Sequence, residues 1–319
     1  MKEIQIDAGN ASQRFDKFLK RILPEATPSF IYKMLRKKNI TLNNSKADGK
    51  EILNNGDIVK IFFADETFDK FSGKHDLTQN RDSMNEYVQA YQSIKNISII
   101  YEDDDVLLIN KPSGILSQKA KDNDVSLNEW FIGYLFNSGC ITEESFQHFK
   151  PSVLNRLDRN TSGIILCGKT LIGSRVISQM LKDRTLEKYY ITYVEGCLVG
   201  ENTLIAFHKK DTKNNQAEII IAENEAVAVP EGYKKIITKY KLLSHSDNIS
   251  KLEIELITGK THQIRAHLSA IGYPIVGDKK YGSKIYRKDG QLLHCYRIVF
   301  PRIEGELSRL SEKEFICEG

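Results

Sequence analysis

Apolar residues near the amino terminus recur at helical intervals and predict two short helices. Over residues 12–23 the intervals are those of an amphipathic helix, with inward positions at Phe15, Phe18, Leu19 and Ile22. Thr27 followed by Pro28 supplies the N-cap and first-turn residues of a second helix. The inward residues of that second helix are Ile31, Met34 and Leu35. We therefore expect the chain to begin with a pair of helices.

Short extended runs follow the two helices. Residues 40–42 and 58–63 have the composition of strands, and the asparagine-rich stretches beside them have the composition of turns. From about residue 64 to residue 96 the chain is polar and weakly periodic, which predicts a linker with a short helix near residues 87–94. We expect a domain at residues 1–64, a linker at 65–96 and a second domain at 97–319.

The longer carboxyl-terminal region mixes strands and helices without a regular order. Apolar runs at residues 97–101 and 106–109 predict a hairpin. Further helices are predicted over 126–136 and 174–183, and further strands over 187–194, 240–243 and 252–256. The regular βαβ alternation of a doubly wound fold is missing, so the pattern indicates strands with interspersed helices.

The composition is that of an ordinary globular protein. The chain has 319 residues, of which 40% are apolar and 28% charged, and its net charge is +4. No run approaches the ~18 apolar residues that would span a bilayer, and the amino terminus lacks an apolar signal-peptide core. Five cysteines without C-x-x-C spacing indicate neither a disulfide framework nor a thiolate metal site. We expect a cytoplasmic monomer with no membrane partner.

Two charged clusters could carry a function. The outer face of the second helix holds Lys33, Arg36, Lys37 and Lys38, which would suit a polyanion but would equally suit a solvated surface. The acidic run at residues 102–105 could bind Mg²⁺, but four carboxylates between two strands are more typical of an exposed turn. We interpret the acidic run as the turn of the hairpin.

The strongest candidate chemistry lies at mid-chain, in the stretch L-N-R-L-D-R-N-T-S-G at residues 154–163. It predicts a polar loop that leads into a short strand, so Asp158 would be held on a rigid sheet. Arg156 and Arg159 flank the acid and would keep it ionised, able to act as a nucleophile or base. A lone R-L-D would more often be a turn cap or an ion pair.

The full string R-L-D-R-x-T-S-G resembles the active-site signature of pseudouridine synthases of the RluA/RluC/RluD type, commonly H-R-L-D-x-x-T-S-G. By this resemblance Asp158 is the catalytic aspartate and Arg156 contacts the substrate. The chain departs from the common form at Asn155, where the family most often has histidine. An imidazole at that position is therefore dispensable here or is replaced by an amide.

Three further segments resemble the same family. N-K-P-S-G at residues 110–114 would bring Lys111 near the substrate cleft, and K-x-Y at 188–190 would supply Tyr190 to stack on the target base. T-G-K-T-H-Q-I-R-A-H-L at 258–268 would supply Arg265 to pair with the aspartate and Ile264 to pack in the pocket. Read without the resemblance, its two histidines could suggest zinc, but they lie five residues apart and lack an H-E-x-x-H glutamate.

The resemblance implies an α+β protein. The two helices and small sheet at the amino terminus resemble the RNA-binding module first named from a small-subunit ribosomal protein, the S-four or alpha-L type. By that resemblance Lys33, Arg36 and Lys37 bind RNA. The catalytic domain would carry a large mixed, mostly antiparallel sheet with a central cleft. The implied activity is isomerisation of specific uridines to pseudouridine, with no cofactor and no metal.

Ribosomal RNA of the large subunit is the expected substrate, with transfer RNA as the alternative. Two other functional classes stay open at this point. A catalytically silent RNA-binding ribosome-assembly factor could share the fold, although it would be free to lose the residues that the motifs retain. A metal-dependent RNA hydrolase would need clustered ligands, which the sequence does not suggest.

Overall fold

The computed structural model describes residues 1–6, 10–72, 77–211, 216–222 and 227–318. In chain order its helices are α1 (Phe15–Ile22), α2 (Pro28–Arg36), α3 (Asp65–Ser72), α4 (Leu77–Ser93), α5 (Leu127–Asn137), α6 (Glu143–His148), α7 (Leu171–Asp183) and α8 (Gln263–Ala270). Its strands are β1 (Lys2–Gln5), β2 (Ile40–Leu42), β3 (Ser45–Lys46), β4 (Ile58–Ile61), β5 (Ser98–Glu102), β6 (Val106–Lys111), β7 (Ser152–Val153), β8 (Ser162–Gly168), β9 (Glu187–Glu195), β10 (Glu201–Asp211), β11 (Gln216–Ile221), β12 (Lys234–Ser246), β13 (Ile249–Leu256), β14 (Leu293–Val299) and β15 (Glu314–Ile316). Within these ranges no helix has both the length and the apolar character needed to cross a bilayer.

One unit of the chain comprises Met1–Ser93, Ile132–Pro151 and Thr170–Ile172. Its four strands form an antiparallel sheet in the order β1-β4-β2-β3. All seven predicted inward residues of α1 and α2 are buried. Thr27 caps α2, because its hydroxyl accepts a hydrogen bond of 3.3 Å from the backbone N–H of Phe30. The predicted helix pair and its cap are confirmed.

The segment that the sequence indicated as a linker carries two helices. α3 buries Phe68 in the core that α1, α2 and the small sheet share, and Phe71 packs against the same core. α4 is longer than the helix predicted near residues 87–94, and residues 73–76 lie outside the described part of the chain. Two apolar residues among charged ones give α3 a periodicity too weak to recognise from sequence.

The other unit comprises Ile94–Phe131, Ser152–Lys169 and Gly173–Gly319. Its large sheet has the strand order β11-β10-β12-β13-β9-β14-β8-β6-β5, with β7 beside β8 and β15 beside β14. Among the described strands, β8 and β14 form the single parallel pair. The expected α+β architecture with a large mixed, mostly antiparallel sheet is confirmed.

Strand β8 lies in the middle of this sheet and continues directly from the signature loop. Four of its residues, Ile164, Ile165, Leu166 and Cys167, are fully buried. Gly163 has a φ of +116°, and a Cβ at this position would lie 2.2 Å from the carbonyl oxygen of Cys295 on β14. Only glycine therefore allows β14 to approach the start of β8 so closely.

The acidic run between β5 and β6 serves the turn, as the sequence indicated. Asp103 Oδ1 accepts hydrogen bonds of 2.8 Å from the backbone N–H groups of Asp105 and Val106. Arg309 Nε donates to Asp103 Oδ2 at 2.7 Å, and its Nη2 donates to Asp105 Oδ2 at 2.5 Å. The carboxylates of Asp103 and Asp105 are thus committed to the hairpin turn and to Arg309.

Candidate active site

Asn155 ties the signature loop to the strand that follows it. Its side-chain oxygen accepts from the backbone N–H of Leu166 at 2.7 Å, and its Nδ2 donates to the carbonyl oxygen of Ile164 at 3.2 Å. One amide therefore satisfies a donor and an acceptor of β8 at once. This geometry explains how an amide serves at the position where the family signature commonly has histidine.

Two buried side chains hold the same loop from below. Ser117 Oγ accepts from the backbone N–H of Leu157 at 3.0 Å and donates to the carbonyl oxygen of the same residue at 2.9 Å. Lys111 Nζ donates to three carbonyl oxygens, those of Pro112 at 3.0 Å, Ile115 at 2.8 Å and Arg159 at 3.0 Å. The loop backbone on both sides of Asp158 is thus fixed by side chains from residues 111–117.

Lys111 lies beneath the floor of the cleft and is fully buried. Burial lowers its pKa to about 7, although the nearby charge of Asp158 opposes the shift. The expected position of Lys111 near the substrate stays a prediction; in the structure its ammonium group is hydrogen-bonded to backbone carbonyl oxygens. Its visible contribution is to support the loop that carries Asp158.

Asp158 lies at the end of this supported loop, and its side chain is 27% exposed. Its Oδ2 accepts a hydrogen bond of 2.8 Å from Nη1 of Arg265. Its backbone carbonyl accepts from the N–H of Thr161 at 3.0 Å, which closes the turn. The carboxylate is therefore partly open to the cleft while one oxygen is paired with the Arg265 guanidinium.

Arg265 projects from α8 and bridges two carboxylates. Its Nε and Nη2 bind Asp278 Oδ2 and Oδ1 at 2.6 and 2.8 Å, while Nη1 reaches Asp158. Burial disfavours the charge, but hydrogen bonds and the charges of Asp278 and Asp158 raise the pKa of Arg265 above its usual value. Asp278 is only 1% exposed, so its role is to hold the guanidinium from behind.

Sequence reasoning did not identify Asp278 as a site residue. It follows the T-G-K-T-H-Q-I-R-A-H-L segment in the string G-Y-P-I-V-G-D. A buried arginine needs more than one hydrogen-bond acceptor. An acidic residue shortly after the predicted position of Arg265 was therefore the feature of the sequence that could have identified Asp278 as its second partner.

The two histidines of the same segment face different surroundings. His262 begins α8 with a φ of +55°, and its Nε2 lies 3.8 Å from Asp158 Oδ2. Its Nδ1 lies 3.0 Å from the hydroxyl of Tyr281, and burial lowers the pKa of His262 against the attraction of Asp158. His267 is fully buried and contacts Thr238 Oγ1 at 3.1 Å. Within the described ranges, no group of three His, Cys, Asp or Glu side chains is arranged to hold a metal ion.

Tyr190 and Ile264 form an apolar part of the cleft wall. Both line the cleft and are almost fully buried, at 5% and 4% exposure. Burial raises the pKa of Tyr190 well above its usual value, so the phenol is neutral. Tyr189 lies on the opposite face of β9, where Arg297 packs 3.8 Å from its ring centre. The alternation along β9 therefore directs Tyr190 into the cleft, as the sequence indicated.

The cleft that these residues line has a volume of about 1090 Å³. That value lies just above the roughly 300–1,000 Å³ of typical ligand sites. Its rim is basic, with Arg156, Arg159, Lys182, Arg184, Lys260 and Lys280 among the lining residues. Arg156 is exposed on this rim. Lys33 and Arg36 on α2 of the other unit are also exposed, as is Lys37 directly after that helix. A neutral planar group on Tyr190 and a polyanionic strand along the rim would both fit.

Comparison with known sequences gives a consistent result. Residues 105–270 match the family model described as RNA pseudouridylate synthase. The ribosomal large subunit pseudouridine synthase C of Rickettsia felis is 32% identical over 276 residues, which are 86% of this chain and 83% of the relative. The synthase D of Borreliella burgdorferi is 33% identical over 231 residues, 70% of this chain and 65% of the relative. An uncharacterized RNA pseudouridine synthase of Mycoplasma genitalium is 30% identical over 305 residues, 92% and 87% of the two chains.

Solved structures resemble the fold. Human RNA pseudouridylate synthase domain containing 1 aligns with 66% of this chain and 80% of its own, with a TM-score of 0.51 and 25% identity. Human RNA pseudouridylate synthase domain containing 4 aligns with 75% of this chain and 93% of its own, with a TM-score of 0.53 and 17% identity. The second likeness bears on the fold alone.

Proposed function

The chain belongs to the RNA pseudouridylate synthase family, and from that premise we propose that it isomerises specific uridines of large-subunit ribosomal RNA through Asp158. As an RNA pseudouridine synthase it is an isomerase, an intramolecular transferase. The observation that carries the proposed catalytic role is the 2.8 Å pair between Asp158 and Arg265 at the floor of a cleft lined by Tyr190.

The reaction breaks the bond from ring nitrogen one of uracil to the ribose and forms a bond from carbon five to the same ribose carbon. The proton leaves carbon five, and nitrogen one ends up protonated, so atoms and electrons balance without oxidant, reductant or water. Asp158 acts as nucleophile or as base in these reaction steps. Arg265 pairs with the carboxylate and holds it in the cleft, and Tyr190 stacks on a base that has left the RNA helix.

Relatives named as large-subunit synthases C and D support ribosomal RNA rather than transfer RNA as the substrate. The basic rim of the cleft supports a polyanionic substrate of either kind. A monomer is part of the same proposal, since Asp158, Arg265 and Tyr190 of a single chain line one cleft. A ribosomal substrate in turn supports a cytoplasmic location.

Residues 1–64 are proposed to be an RNA-binding module of the S-four type, with residues 97–319 as the catalytic domain. The support is the pair of helices on an antiparallel sheet and the exposed basic face of α2, which includes Lys33, Arg36 and Lys37. Such a face would bind phosphates without reading the target base.

The test is Asp158→Asn in the full-length protein, assayed on large-subunit ribosomal RNA from a strain that lacks the gene. We expect the single-turnover rate to fall by at least about 100-fold, since an amide can act neither as base nor as nucleophile. Pseudouridine is measured by mass spectrometry of digested RNA, and the unfolding midpoint checks the fold. Asp104→Asn, which removes an exposed carboxylate in the β5–β6 turn, is the matched control.

A variant Asp158→Asn with normal turnover would remove Asp158 from the chemistry. A wild-type protein that binds ribosomal RNA but forms no pseudouridine in ribosomal or transfer RNA would point instead to a silent assembly factor. Modification of transfer RNA alone would leave the isomerase activity in place and change the substrate.

A further inference from the structure

Residues 279–288, here called the basic loop, concentrate positive charge beside the cleft. They contain no acidic residue and five basic ones: Lys279, Lys280, Lys284, Arg287 and Lys288. The formal charge of these ten residues is thus +5, whereas the whole chain carries +4. Across the part of the chain that the structure describes, none of the five side chains forms an ion pair. Within that described part, none of these five charges is therefore paired with a carboxylate at ion-pair distance.

The backbone of the basic loop is held at its middle and directly after its last residue. Glu195 at the end of β9 accepts three hydrogen bonds, from Ser283 Oγ at 2.5 Å and from the N–H groups of Lys284 and Ile285 at 2.9 and 3.0 Å. At the far end, Ser113 Oγ lies 3.1 Å from the carbonyl oxygen of Asp289. The loop is thus a supported platform whose side chains from residue 284 onward are exposed.

The far end of the platform also contacts the signature loop. Ser113 Oγ lies 2.9 Å from the carbonyl oxygen of Asn160. Gly290 approaches the Asn160 side chain so closely that a Cβ would lie 2.4 Å from its Nδ2. The position of the basic loop is therefore coupled to the loop that carries Asp158.

Tyr286 presents an aromatic ring on this platform. Its exposure is 67%, in contrast to the buried Tyr190 and Tyr281. The Lys279 ammonium lies 4.3 Å from the centre of its ring. An exposed ring on a fixed backbone, accompanied by cations, fits a nucleotide, because the ring can stack on a base while the cations neutralise the adjacent phosphates.

The basic loop starts inside the cleft and leads outward. Lys280 lines the cleft together with Asp158 and Arg265. The ring of Tyr281 packs 5.1 Å from the Arg265 guanidinium carbon, so the next residue of the loop touches the site itself. The basic loop therefore lies directly beside the proposed position of the target uridine.

We propose that the basic loop binds single-stranded RNA next to the flipped uridine, with an unpaired flanking base stacked on Tyr286. Arg287 and Lys288 hold the neighbouring phosphates. This inference rests on the proposed function for the position of the target base. An acidic protein segment could bind the same positive charges, but it has no base that would stack on the ring of Tyr286. The test therefore measures whether the ring contributes to binding.

The test uses the full-length protein and two fluorescein-labelled probes, decauridylate and a ten-unit abasic ribose-phosphate strand, with binding followed by fluorescence anisotropy. Tyr286→Ala should weaken decauridylate binding by about 10-fold, within the range for loss of one base–aromatic stack, and should leave abasic binding within about two-fold. Tyr286→Phe should bind both probes as wild type does. Arg287→Ala with Lys288→Ala should weaken both probes alike, with a salt slope lower by at most about 1.4.

Arg302→Ala, which removes an exposed charge elsewhere in the same unit, is the control and should change neither probe. On ribosomal RNA, Tyr286→Ala should raise KM more than it lowers kcat. Equal loss on both probes, or no loss on decauridylate, would overturn the stacking role of Tyr286. A wild-type protein that formed no pseudouridine would remove the proposed function, yet the two probes would still decide whether this loop binds RNA.

Discussion

At the scale of single residues, the proposed chemistry depends on how one arginine is shared. Arg265 gives two of its donors to Asp278, which is buried, and one to Asp158, which faces the cleft. Asp278 cannot reach a substrate from its position, so its effect on the reaction must pass through Arg265. It is a positioning residue, and this distinguishes it from Asp158.

Asp278→Asn should lower the single-turnover rate by about 10- to 100-fold, because the amide loses the charge that orients the guanidinium. Breaking a buried ion pair should also lower the free energy of unfolding by about 3 kcal/mol. A double-mutant cycle with Arg265→Met checks the route of this effect. If Asp278 acts through Arg265, then Asp278→Asn should add no further rate loss to the Arg265→Met variant, and a fully additive loss would contradict the positioning role.

Lys111 makes the stability of the protein depend on pH. Its pKa is about 7 in the folded protein, against an ordinary value near 10.5, so the unfolded chain binds more protons between these two values. The contribution of Lys111 to the free energy of unfolding should therefore increase as pH rises from about 7 to about 10.5, by at most about 1.4 kcal/mol per pH unit.

The measurement compares wild type with Lys111→Met by urea unfolding at several pH values, because other groups titrate in the same window. The stability difference between the two proteins should shift in favour of wild type as pH rises. A difference that does not change with pH would mean that the three carbonyl oxygens keep the ammonium charged throughout.

At the scale of elements, the sequence was most informative where a segment carries its own pattern. α1, α2 and their buried faces followed from apolar spacing, and the β5–β6 hairpin followed from two apolar runs around an acidic turn. The placement of Asp158, Tyr190 and Arg265 around one cleft followed from the motifs. In each of these cases the deciding information lies within a few neighbouring residues.

Sequence patterns did not predict the elements and contacts that depend on residues far away along the chain. The antiparallel pair of β10 and β11 was not predicted. β11 ends the strand order of the sheet and none of its six residues is buried, so pairing with β10 rather than burial defines it. The motif predicted that Lys111 lies near the substrate. The carbonyl oxygens around its ammonium group could not be read from the sequence. α3 went unrecognised because Phe68 is buried by a core that earlier residues build.

At the scale of the whole molecule, the basic face of α2 should govern affinity rather than turnover. Arg36→Ala with Lys37→Ala removes two exposed charges from this face. If each contacts a phosphate, the slope of log affinity against log salt should fall by roughly two at most on a structured ribosomal RNA fragment.

The matched control is Arg302→Ala with Lys313→Ala, which removes two exposed charges from the other unit. An unchanged salt slope for the α2 variant would mean that the face is merely solvated. A large fall in the single-turnover rate at saturating RNA would mean that the module also affects the active site. That result would contradict the proposal that this face contributes to RNA affinity and not to turnover.

The position of β14 has a consequence for how the protein is made. This strand joins the sheet between β9 and β8, yet it is formed by residues 293–299, after 292 residues of the chain. Until it emerges from the translating ribosome, β8 with its signature loop and β9 with Tyr190 have no strand between them. The cleft therefore cannot be complete before residues 293–299 are available, and we expect a nascent chain stalled before Leu293 to be catalytically inert even when its first unit has already folded.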